Sequence, residues 1–412
     1  MDMAHAHTGL SIDRLERITD HLNRNYIDSG KIAGCQVAVS RHGHLAYSRS
    51  FGQMDLERGK AMADDAIFRI YSMSKPITSV ALMTLFEQGY FQLDDPVSRY
   101  IPEWKDHQVW VSGDADNMVL EAPKTPMTFR HVLSHSGGLT YGNALAAVGA
   151  PDTAHPVDLA YSREKVGRGA GDTLRDFAMK LAKVPLRYHP GERWMYSFST
   201  DVCGYLVEAI SGKRFDRYLR EVIFEPLKMK DTAFFVAPEK ASRFAANYTR
   251  LPNKTLKLVD DPGASTYLEE PSFFGGGGGL TGTTADYLRF TEMLRRGGEL
   301  DGARVLGPRT IAMMHKNHLK SGKDLTEMAI GGFSETANVG VGFGLGFAMT
   351  LNEVTTGVLG EGDYYWGGAA STIFWVDPKE DLSVVFMTQL MPSGTFNFRG
   401  QLKNIIYSAI ED

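Results

Sequence analysis

Hydrophobic residues recur at helical spacing near the N-terminus and alternate with polar residues soon afterwards. The first pattern predicts an amphipathic helix, with apolar positions at Ile12, Leu15, Ile18, Leu22 and Tyr26. The second predicts a β-hairpin, in which residues 35–39 and 45–47 flank a turn at 41–44. Near the C-terminus, strands are predicted at 371–376 and 382–390, and a final helix follows them.

A helix with apolar residues around most of its girth lies between these regions. Residues 77–86 are largely apolar, and Gly89 follows at a position where helices often end. Pro76 lacks a backbone N–H and suits the first turn of a helix, which places the start near Ser72. Residues three apart lie on one helix face, about 5–6 Å apart at Cβ. Ser72 and Lys75 therefore meet at the positive end of a buried helix, an arrangement that can activate a serine without histidine.

The order of the predicted elements indicates the fold class. Strands occur at both ends of the chain, and the middle is expected to form helices joined by loops rich in glycine and proline, including one at 202–210. This order predicts an antiparallel sheet built from both ends of the chain, with an inserted helical domain. We expect an α/β (α+β) sheet domain of residues 1–71 and 245–412. Residues 72–244 form the mostly helical domain, with the active site at the interface.

Composition and charge narrow the possible functions. The chain has 412 residues, of which 43% are hydrophobic and 23% charged, as in an ordinary globular protein. The formal net charge of -5 gives no support for binding nucleic acid or an anionic membrane. No apolar segment approaches membrane-spanning length, and Met1–His5 lacks the features of a signal peptide, so we expect a cytoplasmic protein. Cys35 and Cys203 lie in apolar contexts and are expected to be buried free thiols.

A serine–lysine enzyme needs more than the pair itself. A lysine with an ordinary pKa of about 10.4 is charged at neutral pH and cannot accept a proton. Burial and neighbouring groups must lower that pKa. The site also needs a group that protonates the leaving group and donors that stabilise the oxyanion.

Several stretches of the sequence are together specific for one family. They are Phe68–Lys75, Leu93–Val97, Tyr100–Pro102, Arg130–Leu139 and Pro190–Ser197. Through them the chain, from about residue 30 to 390, resembles the serine hydrolases of the class C β-lactamase and penicillin-binding protein fold. Within that fold it resembles the family VIII carboxylesterases. The resemblance implies a β-lactamase-like fold, a small-molecule ester as substrate, and no metal or organic cofactor. It does not predict an oligomeric state.

The resemblance implies a catalytic tyrosine, for which the chain offers two candidates. Tyr141 fits the lactamase pattern Y-x-N literally, because Asn143 follows it. Tyr196 is followed two residues later by Phe198, where the lactamases have asparagine. We choose Tyr196, because it follows a Pro-Gly turn and Trp194, precedes a predicted helix, and matches the esterase variant of the pattern. Tyr141 is interpreted as a loop residue that lines or closes the cleft.

The third motif of the lactamases, K-T-G, does not occur in the sequence. The equivalent candidate, which looks like the family VIII replacement, is the run Trp366, Gly367, Gly368 and Ala369. By the resemblance, the backbone N–H of Ala369 would pair with that of Ser72 as the oxyanion hole. Glycines allow the backbone to approach a substrate closely. Trp366 and Phe198 would make the cleft apolar, which favours neutral acyl esters over anionic β-lactams and peptides.

Three further patterns have structural interpretations. A second S-x-x-K at Ser162–Lys165 lies in a charged stretch and is interpreted as solvated surface. His131 and His135 are four residues apart and could share a metal ion, but the sequence shows no third ligand at a spacing typical of a metal site. We therefore interpret them as packed or loop residues. Gly275–Gly279 is not followed by the Gly-Lys-Ser/Thr of a phosphate loop. We interpret this glycine run as a tight backbone approach or a bend.

The resulting prediction is a serine carboxylesterase for neutral, short-chain acyl esters, with weak β-lactamase side activity. Ser72 attacks the ester carbonyl, Lys75 takes its proton and Tyr196 protonates the departing alcohol. Water then cleaves the acyl-serine, with Tyr196 or Lys75 as the base. The alternatives are a β-lactamase or D-amino-acid peptidase, an acyltransferase, and a catalytically inactive penicillin- or peptide-binding homologue.

Overall fold

Strands from both ends of the chain form one large sheet. This computed structural model describes residues 7–144, 154–167, 169, 171–330 and 336–412. The predicted absence of a signal peptide concerns Met1–His5, which lie outside the described residues. The strands in chain order are β1 (Gly34–Arg41), β2 (His44–Asp55), β3 (Lys60–Ala61), β4 (Phe68–Arg69), β5 (Val109–Ser112), β6 (Val119–Glu121), β7 (Asn247–Arg250), β8 (Leu256–Asp260), β9 (Thr281–Gly282), β10 (Glu299–Leu300), β11 (Ala303–Arg304), β12 (Val341–Phe343), β13 (Ala348–Thr350), β14 (Tyr364–Gly367), β15 (Ile373–Asp377), β16 (Leu382–Thr388) and β17 (Leu390–Met391).

Helices pack on this sheet and form a second layer beside it. In chain order they are α1 (Ile12–Leu22), α2 (Ser74–Glu87), α3 (Phe129–Leu133), α4 (Pro156–Arg163), α5 (Leu174–Leu181), α6 (Ser199–Ser211), α7 (Phe215–Leu219), α8 (Thr284–Arg295), α9 (Pro308–Met314), α10 (Leu325–Met328), α11 (Glu353–Thr356) and α12 (Phe398–Tyr407). Among the described residues, no helix combines the length and the apolar character that a membrane crossing requires.

The sheet has eight strands in the order β12-β13-β14-β15-β16-β1-β2-β3. The N-terminal hairpin joins the C-terminal strands where β1 pairs antiparallel with β16, from Cys35 opposite Thr388 to Arg41 opposite Leu382. Every residue of β1, β15 and β16 is buried, so both faces of these strands are covered. α8 packs on β1, β15 and β16, and α1 packs against α12. All eight strands come from the two predicted terminal parts, and the domain boundaries stay a prediction.

The helical layer positions the candidate nucleophile. α2 packs against α6, and residues 74–85 of α2 are all buried, as the largely apolar stretch 77–86 predicts. α6 ends at Gly212, whose φ of +68° gives the left-handed C-cap that glycine favours. The middle of the chain is not purely helical, because β5 and β6 form a hairpin there. Cys35 in β1 and Cys203 in α6 are both buried free thiols, as predicted.

Candidate active site

The candidate nucleophile Ser72 lies where a short strand leads into the buried helix α2. A single 3-10 turn, Tyr71–Met73, follows β4, and α2 begins only at Ser74, two residues later than the predicted helix start. The residue before the serine, Tyr71, has a φ of +41°, which is uncommon for a residue other than glycine. Surrounding structure must impose such a conformation, and it is found often at functional sites. Ser72 is 9% exposed, slightly more than Lys75 at 1% and Tyr196 at 4%.

Two side chains converge on the hydroxyl of Ser72. Nζ of Lys75 donates to Ser72 Oγ at 3.1 Å, and the phenol of Tyr196 donates to the same oxygen at 2.7 Å. Lys75 comes from the first turn of α2, whereas Tyr196 comes from the segment that leads into α6. Both side chains are almost completely buried. The structure thus brings the three predicted catalytic residues together at one atom, and their individual roles stay predictions.

The amine of Lys75 has further partners that the sequence did not reveal. It donates to the carbonyl oxygen of Gly277 at 2.5 Å and lies 4.6 Å from the centroid of the Tyr196 ring. A carbonyl and the face of an aromatic ring both stabilise the ammonium form. Burial has the opposite effect, because it favours the neutral amine. These opposing influences suit a group that must both accept and release a proton.

The glycine run 275–279 reaches Lys75 because its residues lack side chains. A Cβ on Gly276 would lie 2.7 Å from the carbonyl oxygen of Thr200, and one on Gly277 would lie 2.5 Å from Oδ2 of Asp201. Neither distance leaves room for a carbon atom, so the backbone fits against α6 only as glycine. The run is therefore a tight backbone approach, one of the two interpretations that the sequence allowed.

The Trp-Gly-Gly segment lies beside the serine and the tyrosine. The indole N–H of Trp366 donates to the Tyr196 hydroxyl at 3.3 Å. A Cβ on Gly368 would lie 2.4 Å from the carbonyl oxygen of Ile70, in the chain that leads into Ser72. Glycine is therefore needed where this segment passes the nucleophile turn.

Two backbone N–H groups are candidates for the oxyanion hole. Gly367 ends β14 opposite Ile373, and Ala369 lies in the turn that leads to β15. Within the described ranges, neither the N–H of Ala369 nor that of Ser72 donates to a protein acceptor. β14 contacts the Tyr71–Met73 turn, so the two donors belong to adjoining segments. Donors of this kind are what an oxyanion hole requires, and their pairing stays a prediction.

Aromatic side chains extend from the catalytic cluster across the helical layer. The ring centroid of Tyr141 is 5.3 Å from that of Tyr196 and 4.6 Å from that of Phe198. Phe177 continues the series, 5.2 Å from Phe198 and 5.3 Å from Phe273. Tyr141 and Phe198 thus lie next to the cluster, and the series makes its surroundings apolar and aromatic.

The two histidines of the possible metal pair are engaged in structural contacts. His131 closes a capping box at the start of α3, while Nδ1 of His135 is 3.1 Å from Oγ of Ser197. Burial and, to a smaller extent, the positive charge of Lys75 hold the pKa of His135 well below its usual value. Its ring is therefore neutral at pH 7, and it packs 5.2 Å from the Tyr196 ring. Among the described residues, no group of three or more His, Cys, Asp or Glu side chains could hold a metal ion.

Asp201 and Gly277 are site residues that the sequence predictions missed. Oδ1 of Asp201 accepts the N–H of Gly277 at 2.9 Å, and the Gly277 carbonyl in turn contacts Lys75. Asp201 is only 4% exposed, and burial raises the pKa of its carboxyl group. A signal was present, because this carboxylate directly precedes the amphipathic helix that was predicted at 202–210. No local pattern reveals the partner of a glycine carbonyl.

Comparisons with known proteins find relatives that cover most of the chain. Protein Rv1367c of Mycobacterium tuberculosis is 32% identical over 375 residues, which cover 90% of this chain and 88% of that protein. Esterase EstB of Burkholderia gladioli is 28% identical over 402 residues, covering 92% and 91%. Among solved structures, EstCE1, described as a hydrolase with promiscuous acyltransferase activity, matches with a TM-score of 0.78 and 26% identity over 97% of this chain and 99% of that one.

The fold and the relatives define a serine hydrolase of the β-lactamase type. The chain belongs to the β-lactamase family, whose family model matches residues 17–405. This finding confirms the predicted fold class, the predicted family resemblance and the enzyme class, a serine hydrolase.

Proposed function

We propose that this protein is a serine carboxylesterase that hydrolyses neutral, short-chain acyl esters through an acyl-serine intermediate. One observation carries the proposal. Lys75 Nζ and Tyr196 OH both lie within hydrogen-bonding distance of Ser72 Oγ, at 3.1 and 2.7 Å, in a buried cluster whose most exposed member is the serine. The esterase relatives support the same reaction class.

Acylation begins at Ser72. When Lys75 is neutral, the serine hydroxyl can donate to its amine, and Oγ attacks the ester carbonyl as Nζ takes the proton. The carbonyl π bond opens as the Oγ–C bond forms, and the negative charge moves to the carbonyl oxygen. The backbone N–H groups of Ser72 and Ala369 stabilise that charge.

Tyr196 serves the leaving group. When the tetrahedral intermediate collapses, the bond to the alcohol oxygen breaks and the Tyr196 phenol donates its proton to that oxygen. The ammonium of Lys75 then returns a proton to the phenolate, because both groups contact the same Ser72 oxygen. Water adds to the acyl-serine, with Tyr196 or Lys75 as the base, and releases the acid. No metal or organic cofactor takes part.

The surroundings of the cluster support a preference for neutral esters. Trp366, in place of the lysine of K-T-G, uses its indole N–H on the Tyr196 hydroxyl and offers a substrate carboxylate no cation. Phe198, in place of asparagine, packs against Tyr141 and Phe177. Apolar and aromatic surface of this kind stabilises an uncharged acyl group.

A substrate panel tests the proposal. Purified protein and the Ser72→Ala variant are assayed with p-nitrophenyl acetate, butyrate and decanoate, with nitrocefin, and with a D-Ala-D-Ala peptide. We expect turnover of the acetate and butyrate esters, slow nitrocefin hydrolysis and no peptide cleavage, all dependent on Ser72. Preferential cleavage of nitrocefin or of the peptide would replace the esterase by a lactamase or peptidase. Binding of either compound without turnover would indicate an inactive binding homologue.

Acyl transfer is the second candidate, and the similarity to EstCE1 favours it. The acyl-serine is common to both reactions, which differ in whether water or an alcohol reaches it. Adding a primary alcohol to the p-nitrophenyl butyrate assay measures this partition. A transferase forms the new ester as the main product in water, whereas an esterase releases mainly butyrate.

A further inference from the structure

Asp201 is a buried carboxylate that the proposed acylation chemistry does not use. It is the third residue of α6 and is almost completely buried beneath the glycine run. Its Oδ1 accepts the Gly277 N–H at 2.9 Å, and the Gly277 carbonyl accepts the Lys75 Nζ at 2.5 Å. A single residue therefore links the carboxylate to the amine of the catalytic pair.

The close fit of the glycine run makes this link rigid. A Cβ on Gly277 would be 2.5 Å from Oδ2 of Asp201, and one on Gly275 would be 3.2 Å from Oδ1. From the opposite side, the hydroxyl of Thr78 in α2 donates to the Gly276 carbonyl at 2.8 Å. The glycine run is thus held between α2 and α6, and loss of the Asp201 contact would leave the Gly277 carbonyl free to move away from the amine.

Charge gives Asp201 a second influence on Lys75. Burial raises the pKa of the Asp201 carboxyl, and the positive charge of Lys75 opposes that rise, so each charge stabilises the other. Other titratable groups that face the pair are His135, Cys203 on α6, and the phenols of Tyr196 and Tyr141. The imidazole is neutral because burial lowers its pKa, and the thiol is neutral because burial raises its pKa. Asp201 is thus a carboxylate that can balance the ammonium from the far side of Gly277.

We propose that Asp201 is a positioning residue for the serine–lysine pair. It holds the Gly277 carbonyl against Lys75 and stabilises the ammonium that forms when Lys75 takes the proton of Ser72. Asp201 exchanges no proton and does not touch the substrate, so its whole effect acts through the lysine. The inference rests on the proposed function of the site.

Two substitutions separate the positioning effect from the charge effect. Asp201→Asn keeps an oxygen that can accept the Gly277 N–H but removes the charge. Without the anion the ammonium loses its proton more readily, so the acidic limb of the kcat/KM profile should move to lower pH by about one unit. A weaker base also transfers the proton less well, and kcat on the plateau should fall about tenfold with KM nearly unchanged. Asp201→Ala loses the acceptor as well and should lower kcat further.

Thr78→Val is the matched control. It removes a different anchor of the glycine run, the hydrogen bond from Thr78 to Gly276, without changing any charge. We expect this variant to lose thermal stability and some kcat, while its pH profile keeps the wild-type position. If Asp201→Asn behaved in the same way, the carboxylate would be only a structural support and the proposal would be overturned.

A second readout makes the test independent of ester turnover. Labelling of Ser72 by a fluorophosphonate, followed by intact-protein mass spectrometry across pH, reports the nucleophilicity of the serine directly. Asp201→Asn should show the same shift of about one unit to lower pH in this labelling rate. A wild-type protein that is labelled but hydrolyses no ester would reject the proposed function alone. A wild-type labelling profile in Asp201→Asn would reject the role of Asp201.

Discussion

Two serine–lysine pairs with the same spacing have very different surroundings in this protein. Ser72 and Lys75 lie in a buried cluster, where Lys75 is 1% exposed and contacts the serine, the Gly277 carbonyl and the Tyr196 ring. Ser162 and Lys165 are both exposed to solvent, as predicted for the second pair. The same short motif thus occurs once inside a reactive cluster and once on the surface.

Backbone structure explains part of the difference. The first pair enters a long buried helix, so serine and lysine stay on one face and their side chains meet at 3.1 Å. The second pair straddles the end of α4, and Lys165 has a φ of +52°, which turns the chain away from the helix. Spacing therefore brings a hydroxyl and an amine together only when helical turns follow one another through both residues, as the Tyr71–Met73 turn and α2 do here. Burial is needed as well to change the chemistry of the amine.

The largest expected effect is the difference in activity between alanine substitutions in the first pair and the same substitutions in the second pair. Ser72→Ala and Lys75→Ala should each reduce kcat/KM for p-nitrophenyl butyrate by at least about a thousandfold, because each removes a group that acts on the reacting atoms. The matched variants Ser162→Ala and Lys165→Ala should stay within about twofold of wild type, since they change exposed side chains. Full activity in either variant of the first pair would reject the mechanism.

A tyrosine contacts the first pair, and two tyrosines compete for the catalytic role. Tyr196→Phe removes the hydroxyl that lies 2.7 Å from Ser72 Oγ and should lower kcat about a hundredfold. Tyr141→Phe keeps the aromatic packing and should change kcat by less than about fivefold, since by our proposal its hydroxyl transfers no proton. Steady-state kinetics with one ester decide between them, and loss of activity in Tyr141→Phe alone would show that the wrong tyrosine was chosen.

A smaller effect is expected from the glycine run that brings a carbonyl to the first lysine. Gly276→Ala would place a carbon 2.7 Å from the Thr200 carbonyl, and overpacking of this kind costs about 1–3 kcal/mol. We expect a lower melting temperature and a reduced kcat. Gly278→Ala is the matched control, because the nearest atom to its Cβ would be 3.7 Å away. Equal effects of the two variants would show that the close approach is unimportant.

The smallest expected effect is a loss of folding stability at acidic pH that comes from His135, a buried neighbour of the first pair. Because burial lowers the pKa of His135, the unfolded chain binds a proton below its ordinary pKa of about 6.5 that the folded chain does not. Folding stability from this residue is therefore present above that pH and is lost as the pH falls. Thermal unfolding between pH 8 and 5 should show a shallower loss in His135→Asn than in wild type. An NMR titration of His135 that matched free imidazole would contradict the prediction.

Local elements were predictable where a single stretch of chain determines them. The hairpin of β1 and β2, the strands β15 and β16, and the helix α6 with Gly212 at its end all follow from hydrophobic period and turn residues. The pairing of β1 with β16 was expected only in outline, because register between strands so far apart in sequence depends on how side chains pack across the sheet. The β5–β6 hairpin was missed, since its short strands carry little periodic signal.

The site residues also divide into those that local sequence predicts and those that depend on the folded chain. The contact between Ser72 and Lys75 follows from helix geometry, whereas Tyr196 and Ala369 were chosen through the family resemblance. Gly277 and Asp201 could not be assigned from sequence, because a carbonyl oxygen and an isolated carboxylate carry no motif. Their contribution depends on the close approach of the glycine run to α6, which exists only in the folded chain.

The amino-acid sequence alone determined which residue types could react and which helix would be buried, because hydrophobic period and helix geometry are local properties. Tertiary structure decided which partners surround the buried pair. Tyr196 and Gly277 are distant in sequence from Ser72 and Lys75, and only packing of α2 against α6 and the glycine run brings them within hydrogen-bonding distance of that pair. The environment that allows a lysine to act as a base is thus a product of burial and of contacts between distant segments.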